Sequence, residues 1–322
     1  MLIIVAPGQG SQTPGMLTPW LSNEAFATVI DAASAATGLD LRAHGTESDA
    51  DTIRDTAIAQ PLIVAAGLGS LAAAAELGLP ISAADAVAGH SVGEITAAAA
   101  TGVLSLEDAL ALVAVRGRAM AEAAAVVQTG MAAVLGGERD DVIATLTRHG
   151  LVAANENGAK QIVAAGTLEQ IEALNAEPPA GARIRPLQVA GAFHTQFMAS
   201  ATDAVCQLSS SMATNNPSVQ LVSNRGGEIV TDGADVVARL VSQVSSPVRW
   251  DLCMETFQEI GVTGIVELFP GGTLTGIAKR ALPGVELLAI TAPEDLEKLA
   301  DFVSQHLHRV PSAPSESAEE SK

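Results

Sequence analysis

The sharpest chemical signal in this 322-residue chain is Gly89-His90-Ser91-Val92-Gly93, a G-x-S-x-G pattern. A serine flanked by small residues on a strand-to-helix turn exposes its oxygen above the sheet, and the amides of the helix N-terminus face any oxyanion that forms. Chance gives the pattern in roughly one such chain in five, so its surroundings decide. An apolar strand precedes it and an Ala-rich helix follows. An ordinary strand–helix turn is the competing interpretation.

A serine nucleophile needs a base, most often histidine. There are six candidates. His44 and His149 lie in polar loop or helix-end contexts, His306 and His308 adjoin the C-terminal tail, and His90 sits inside the turn, where its neighbour's oxygen points away from it. His194, in Ala190-Gly191-Ala192-Phe193-His194-Thr195 directly after an expected strand, is the one well placed as a base. Its bland alternative is a hydrogen-bonded loop histidine.

Two further segments could join them. Pro7-Gly8-Gln9-Gly10-Ser11-Gln12 leaves the C-terminal end of the first strand, where open α/β sheets form their sites. An amide side chain or backbone N–H there could serve an oxyanion. It is not a dinucleotide fingerprint, because Thr13 occupies the third glycine position. Gly67-Leu68-Gly69-Ser70-Leu71-Ala72 matches a looser fingerprint but lies within a helical pattern, so it is expected to serve helix packing. Arg116, in Val115-Arg116-Gly117-Arg118, is ordinarily a structural arginine; buried near a nucleophile, it would bind a substrate carboxylate bidentately.

The elements that must position these residues alternate between apolar strands and Ala-rich helices, which predicts an α/β sheet covered by helices. Strands are expected at Leu2–Ala6, Asp85–Ala88, Val219–Ser223, Gly264–Leu268 and Glu286–Ile290. Ser105 and Asp108 form a capping-box signal for a helix running to about Ala124. Between these lie strand Met131–Leu135, helix Asp140–Arg148, strands Leu151–Ala154 and Gln161–Ala165, helix Leu168–Ala176 and strand Arg183–Val189. That βαββαβ order defines a ferredoxin-like insert over residues 127–190. The core is then 1–126 with 191–310, and Pro311–Lys322 is expected to be a disordered tail.

Composition narrows the classes. The net charge is −19, and there are six Phe, two Trp and no Tyr, which argues against a nucleic-acid binder and removes any phenol acid. Cys206 and Cys253 are too few and too far apart for a disulfide framework or a cysteine zinc site. No uncharged apolar run is read as reaching about 18 residues, so no membrane association is expected. The start lacks a basic region, and a cytoplasmic protein is the expectation.

Taken together, the residues resemble the malonyl-CoA:acyl carrier protein transacylase family of fatty acid and polyketide synthesis. The matching segments are Pro7–Gln12, Gly89–Glu94, Val115–Met120, Gly191–His194 and Ser242–Trp250, with a weaker match at Glu267–Arg280, and they cover about residues 1–290. The resemblance implies a hydrolase-like core and assigns roles. Ser91 is the acylated nucleophile, His194 its base, and Gln243 the residue that orients the histidine through a carbonyl oxygen. Gln9 and the backbone N–H of Val92 form the oxyanion hole, Arg116 pairs with the malonyl carboxylate, and Phe193 crowds out an α-methyl branch. Substrates would be malonyl-CoA and the phosphopantetheine thiol of acyl carrier protein, with no cofactor bound by the enzyme itself and a monomer expected. Phe269 and Gly191 depart from the family pattern. An esterase or thioesterase with the same elbow is one alternative, although such hydrolases carry their histidine late in the chain. A non-catalytic carrier-docking subunit is another.

Overall fold

The computed structural model describes residues 1–189 and 191–307. The expected tail, Pro311–Lys322, and His308 lie outside the described residues. Strands run in chain order as β1 (Leu2–Ala6), β2 (Ala86–Gly89), β3 (Thr129–Gly136), β4 (Val152–Glu156), β5 (Gln161–Thr167), β6 (Ala182–Pro186), β7 (Gln220–Val222), β8 (Ile229–Val230), β9 (Val248–Arg249), β10 (Gly264–Glu267) and β11 (Glu286–Ala289).

They form two sheets. The larger has the order β11-β10-β1-β2-β7-β8 and is parallel except for the edge pair β7–β8. Its central strand shows why the sequence reads as an unbroken apolar run. Leu2, Ile4 and Ala6 enter one hydrophobic core, while Ile3 and Val5 enter a second core on the opposite face. Side chains alternate across a strand, so a sheet covered by helices on both sides needs hydrophobes at every position. Each fully buried Leu, Ile or Val contributes about 1.5–3 kcal/mol.

The smaller sheet has the order β6-β3-β5-β4-β9, and its first four strands pair antiparallel as the βαββαβ order requires. The fifth, β9, comes from outside residues 127–190 and pairs parallel to β4. It was not expected, and neither was β8. Each is two residues long, too short for any periodicity to register.

Helix boundaries follow local chemistry. Helix Leu106–Val126 starts at Ser105, whose hydroxyl oxygen accepts from the Asp108 N–H and whose hydroxyl donates to the Asp108 carboxylate. The carboxylate therefore takes the hydroxyl, not the backbone N–H of a reciprocal capping box. Helix Thr56–Glu76 corrects the expectation about apolar length. It is uncharged from Thr56 to Ala75 and is long and apolar enough to cross a membrane, but 78% of its apolar window is buried within the protein. It packs as a core helix, and its glycines permit that packing: a Cβ on Gly69 would lie 2.8 Å from the Phe26 ring.

The few aromatic rings are concentrated. Trp20 stacks on Phe26 and tilts against Phe269, with centroids 4.9 Å apart in both pairs. Phe269, a departure from the family pattern, thus fills a buried aromatic cluster. Phe269→Gly should lower the unfolding free energy by about 3–5 kcal/mol in urea titration. A loss below about 1 kcal/mol would show that the ring is not part of the packing.

Candidate active site

The site begins where β2 ends. His90 N–H donates to Ala6 O across the sheet, Ser91 follows with φ +53°, and helix Gly93–Ala100 begins two residues later. The turn is tight enough that a Cβ on Gly89 would strike the backbone of Gly93 and Glu94, and one on Gly93 the Ala6 carbonyl. Glycine is thus demanded by close approach at both positions, and the strained φ falls on the serine. Asn224, fully buried just after β7, pins the turn from both sides. Its side chain accepts from Ser91 N–H at 2.8 Å and donates to Gly89 O at 2.7 Å.

His194 also has a left-handed backbone, φ +60°. Its loop is tied down by Thr195 Oγ1 donating to Ala192 O and Ala192 N–H donating to Thr129 Oγ1. His194 Nδ1 lies 2.7 Å from the backbone carbonyl of Gln243, and Nε2 lies 2.7 Å from Ser91 Oγ. A carbonyl only accepts, so Nδ1 carries the proton and Nε2 is left to take the hydroxyl proton of Ser91. Burial, aided by the nearby Arg116 charge, pushes the imidazole down to about 3, so it is neutral and ready to act as a base.

Arg116, on helix Leu106–Val126, is 1% exposed. Its Nη1 donates to Gln60 Oε1 at 2.6 Å, and its Nη2 donates to Gln243 Oε1 at 2.9 Å and reaches Ser91 Oγ at 3.4 Å. The Gln243 side chain in turn donates to Ser91 O and to the buried carboxylate of Glu94, which also accepts from Asn224 N–H. Burial raises Glu94 to about 7 against these hydrogen bonds and the Arg116 charge. One amide side chain thus separates a buried cation from a buried carboxylate.

A cavity of about 260 Å³ opens above Ser91 and His194, walled by Gln9, Gln60, Val92 and Phe193 among others. Met131 and Val163 of the small sheet line it too, so both sheets enclose the space. The Gln9 side-chain amide points to Thr56 Oγ1 and Arg54 O. Its backbone N–H and that of Val92 have no partner among the described residues, which leaves two donors for an oxyanion beside Ser91. Gly191 is also explained, since a Cβ there would lie 2.6 Å from Ala124 Cβ and 3.3 Å from the Phe193 ring.

The structure therefore gathers Ser91, His194, Gln243, Gln9, Val92, Arg116 and Phe193 about one point, with Arg116 and Gln243 behind the cavity wall and the other five lining it. His90 is committed elsewhere, bonded to Asn157 Oδ1 at 2.9 Å and edge-on to Trp250. Gln60, Glu94 and Asn224 were not singled out. Gln60 had a usable signal: a polar residue in an apolar, buried helix must find a partner. Among the described residues no group of three or more His, Cys, Asp or Glu could hold a metal ion.

With this geometry in view, the comparisons define the class. Residues 3–295 match the acyl transferase domain family. The malonyl CoA-acyl carrier protein transacylase of Mycobacterium tuberculosis is 51% identical over 94% of this chain and 100% of its own, and that of Bacillus subtilis 31% identical over 90% and 93%. A crystal structure of the Mycobacterium tuberculosis protein superposes with a TM-score of 0.90, covering 93% of this chain and 99% of the other at 51% identity. The chain belongs to the malonyl CoA-acyl carrier protein transacylase family.

Two titrations of opposite sign follow. Below pH 6.5 the unfolded chain protonates His194 while the folded protein refuses the proton until about pH 3, so that contribution to stability is lost as pH falls. Folded Glu94 keeps its proton up to about pH 7 whereas the unfolded chain releases it near 4.5, so its contribution is lost as pH rises. In urea unfolding, Glu94→Gln should therefore destabilise more at pH 5 than at pH 8, and His194→Gln less at pH 4.5 than at pH 7.

Proposed function

We propose that this protein transfers the malonyl group of malonyl-CoA to the thiol of an acyl carrier protein, supplying malonyl units for fatty acid synthesis, by way of a malonyl ester on Ser91. The observation that carries the chemistry is the Ser91–His194–Gln243 carbonyl line, with two contacts of 2.7 Å and a tautomer set by the carbonyl.

His194 Nε2 takes the Ser91 proton as Oγ attacks the thioester carbon, and the backbone N–H groups of Val92 and Gln9 receive the oxyanion. The carbon–sulfur bond breaks, and the departing coenzyme A thiolate takes the proton from His194. The carrier thiol then gives its proton to His194, its sulfur attacks the ester, and Ser91 leaves as the hydroxyl with that proton restored. No cofactor takes part; the phosphopantetheine arm arrives with the carrier. Arg116 pairs with the free carboxylate of the malonyl group, and Phe193 limits room for an α-methyl branch.

This reading includes a catalytic core of residues 1–126 and 191–310 with residues 127–190 as a small subdomain, a monomer, and a cytoplasmic location. The free thiols Cys206 and Cys253 agree with a reducing compartment. One solved relative, at 28% identity and TM-score 0.86, covers 93% of this chain and 99% of its own; it is a malonyl-transacylase in complex with its type II PKS acyl-carrier protein. For this chain, carrier docking is assigned to the cavity rim. Arg280 donates to Gln161, which lines the cavity, and Lys279 is exposed beside it. Neither forms an ion pair among the described residues, and the same holds for the exposed Arg183 and Arg185.

Intact-mass analysis after mixing with malonyl-CoA should show an acylated protein that discharges on addition of holo carrier, and Ser91→Ala should show no adduct. Arg116→Ala should reduce malonyl acylation about tenfold or more beyond its effect on acetyl acylation; equal losses would exclude the carboxylate pairing. Charge reversal at Lys279 and Arg280 should raise the carrier KM at low ionic strength, and the difference should shrink as salt screens the surface. A carrier KM indifferent to both changes would remove this rim from the docking surface.

A further inference from the structure

We propose that Gln60 sets the acyl selectivity of the enzyme: its neutral amide holds the Arg116 guanidinium in place without neutralising it, and the substrate carboxylate takes over that bond. The inference rests on the reading of Arg116 as partner of the malonyl carboxylate.

Gln60 is the one amide side chain in the mostly apolar helix Thr56–Glu76, and it is 2% exposed. Its Oε1 accepts from Arg116 Nη1 at 2.6 Å, while its Nε2 faces only the weak acceptor Met120 Sδ at 3.4 Å. On the other branch, Nη2 donates to Gln243 Oε1. Gln243 presents its amide nitrogen to Glu94, so the nearest carboxylate is held off by an intervening amide. Among the described residues no carboxylate forms an ion pair with Arg116. Burial pulls the guanidinium down to about 10, with Glu94 as the opposing influence.

A buried arginine is ordinarily paired with a carboxylate, because an uncompensated interior charge is costly. Here both branches end on neutral oxygens. A carboxylate binds the guanidinium fork more strongly than an amide does, so it can displace one. Gln60 is the amide in position to yield, since it lines the cavity whereas Arg116 stands behind it. An acetyl group carries no carboxylate and leaves the Gln60–Arg116 bond intact. Selectivity then depends on residue 60 being an acceptor that binds Arg116 weakly enough to be replaced.

The test compares single-turnover acylation of Ser91 by malonyl-CoA and acetyl-CoA in Gln60→Glu, Gln60→Leu and Arg116→Ala. A glutamate at position 60 keeps the shape and the acceptor but supplies the missing charge. Gln60→Glu should cut the malonyl-to-acetyl rate ratio by at least about tenfold, and Gln60→Leu by less. A merely structural hydrogen bond predicts the reverse ranking, with Leu worse than Glu, and that result would overturn the proposal. Failure of Gln60→Glu to fold would also count against it, because the substitution provides the counter-charge that Arg116 is said to lack. Arg116→Ala separates the two readings. If it leaves the ratio unmoved, the carboxylate pairing itself is wrong; if it lowers the ratio while Gln60→Glu does not, only the role of Gln60 falls.

Discussion

Everything at this site answers to one buried positive charge. Arg116 is 1% exposed, bonded to two neutral glutamine oxygens and 3.4 Å from Ser91 Oγ. The effective penalty for placing such an ion in the interior is several kcal/mol, so its surroundings must repay it through hydrogen bonds. Burial holds His194 neutral with the Arg116 field assisting, and the same field favours the ionised form of Glu94 against the pull of burial. Gln243 serves both demands at once. Its backbone carbonyl fixes the histidine tautomer, and its side chain bridges the cation and the carboxylate. In the proposed mechanism an acid as third member of the line is unnecessary, because a carbonyl orients Nδ1 without adding a second negative charge where a substrate carboxylate is proposed to bind.

The second constraint is geometric. Ser91 can occupy φ +53° because Gly89 and Gly93 allow strand and helix to approach, and because Asn224 ties the backbone on either side of the serine. The small sheet is fastened to the same turn. His90, next to the serine, bonds Asn157 in the turn after β4, and β9 pairs with β4 immediately before helix Trp250–Glu259. Asn224 O accepts from Arg249 N–H in β9, so the residue that pins the Ser91 turn also anchors the strand that links the two sheets. Movement of one sheet against the other would therefore be felt at Ser91.

What could be seen in the sequence was whatever repeats or punctuates. The apolar run of β1, the Ser105 cap and the βαββαβ order of the small sheet are local regularities that stand within a residue or two of their expected places, except that the strand expected over Arg183–Val189 ends at Pro186. The Gly89–Gly93 turn was legible because glycine there reflects a collision in its own neighbourhood. His194 stands out among the histidines only because the others are poorly placed, and the structure sets it 2.7 Å from Ser91 across 103 residues of sequence. Glu94 and Asn224 give no such cue, and Gln60 gives only that of an amide in an apolar run, which names no partner. Each matters through partners dozens of residues away, and single polar residues carry no periodicity. The two-residue strands β8 and β9 were lost for the same reason. Helix Thr56–Glu76 shows the opposite failure, because length and apolar composition are shared by a membrane span and a core helix, and only burial separates them.

The net charge of −19 acquires a different meaning once the ion pairs are located. Most of the cations that form pairs face an acidic neighbour on the surface, as in Arg42–Asp31, Arg239–Glu228 and Lys298–Asp295, where each pair contributes little to stability. Such pairs cancel charge locally and leave the global excess negative. Any acidic partner would meet net repulsion at long range, which cations without acidic neighbours oppose at close range. Lys279 and Arg280 lie at the end of helix Thr273–Ala281, whose Leu274 and Ile277 line the cavity. Two of the exposed unpaired cations among the described residues are thus carried by the same helix that walls the cavity. In the proposed docking, a partner drawn to this helix would arrive with its thiol arm near the opening above Ser91.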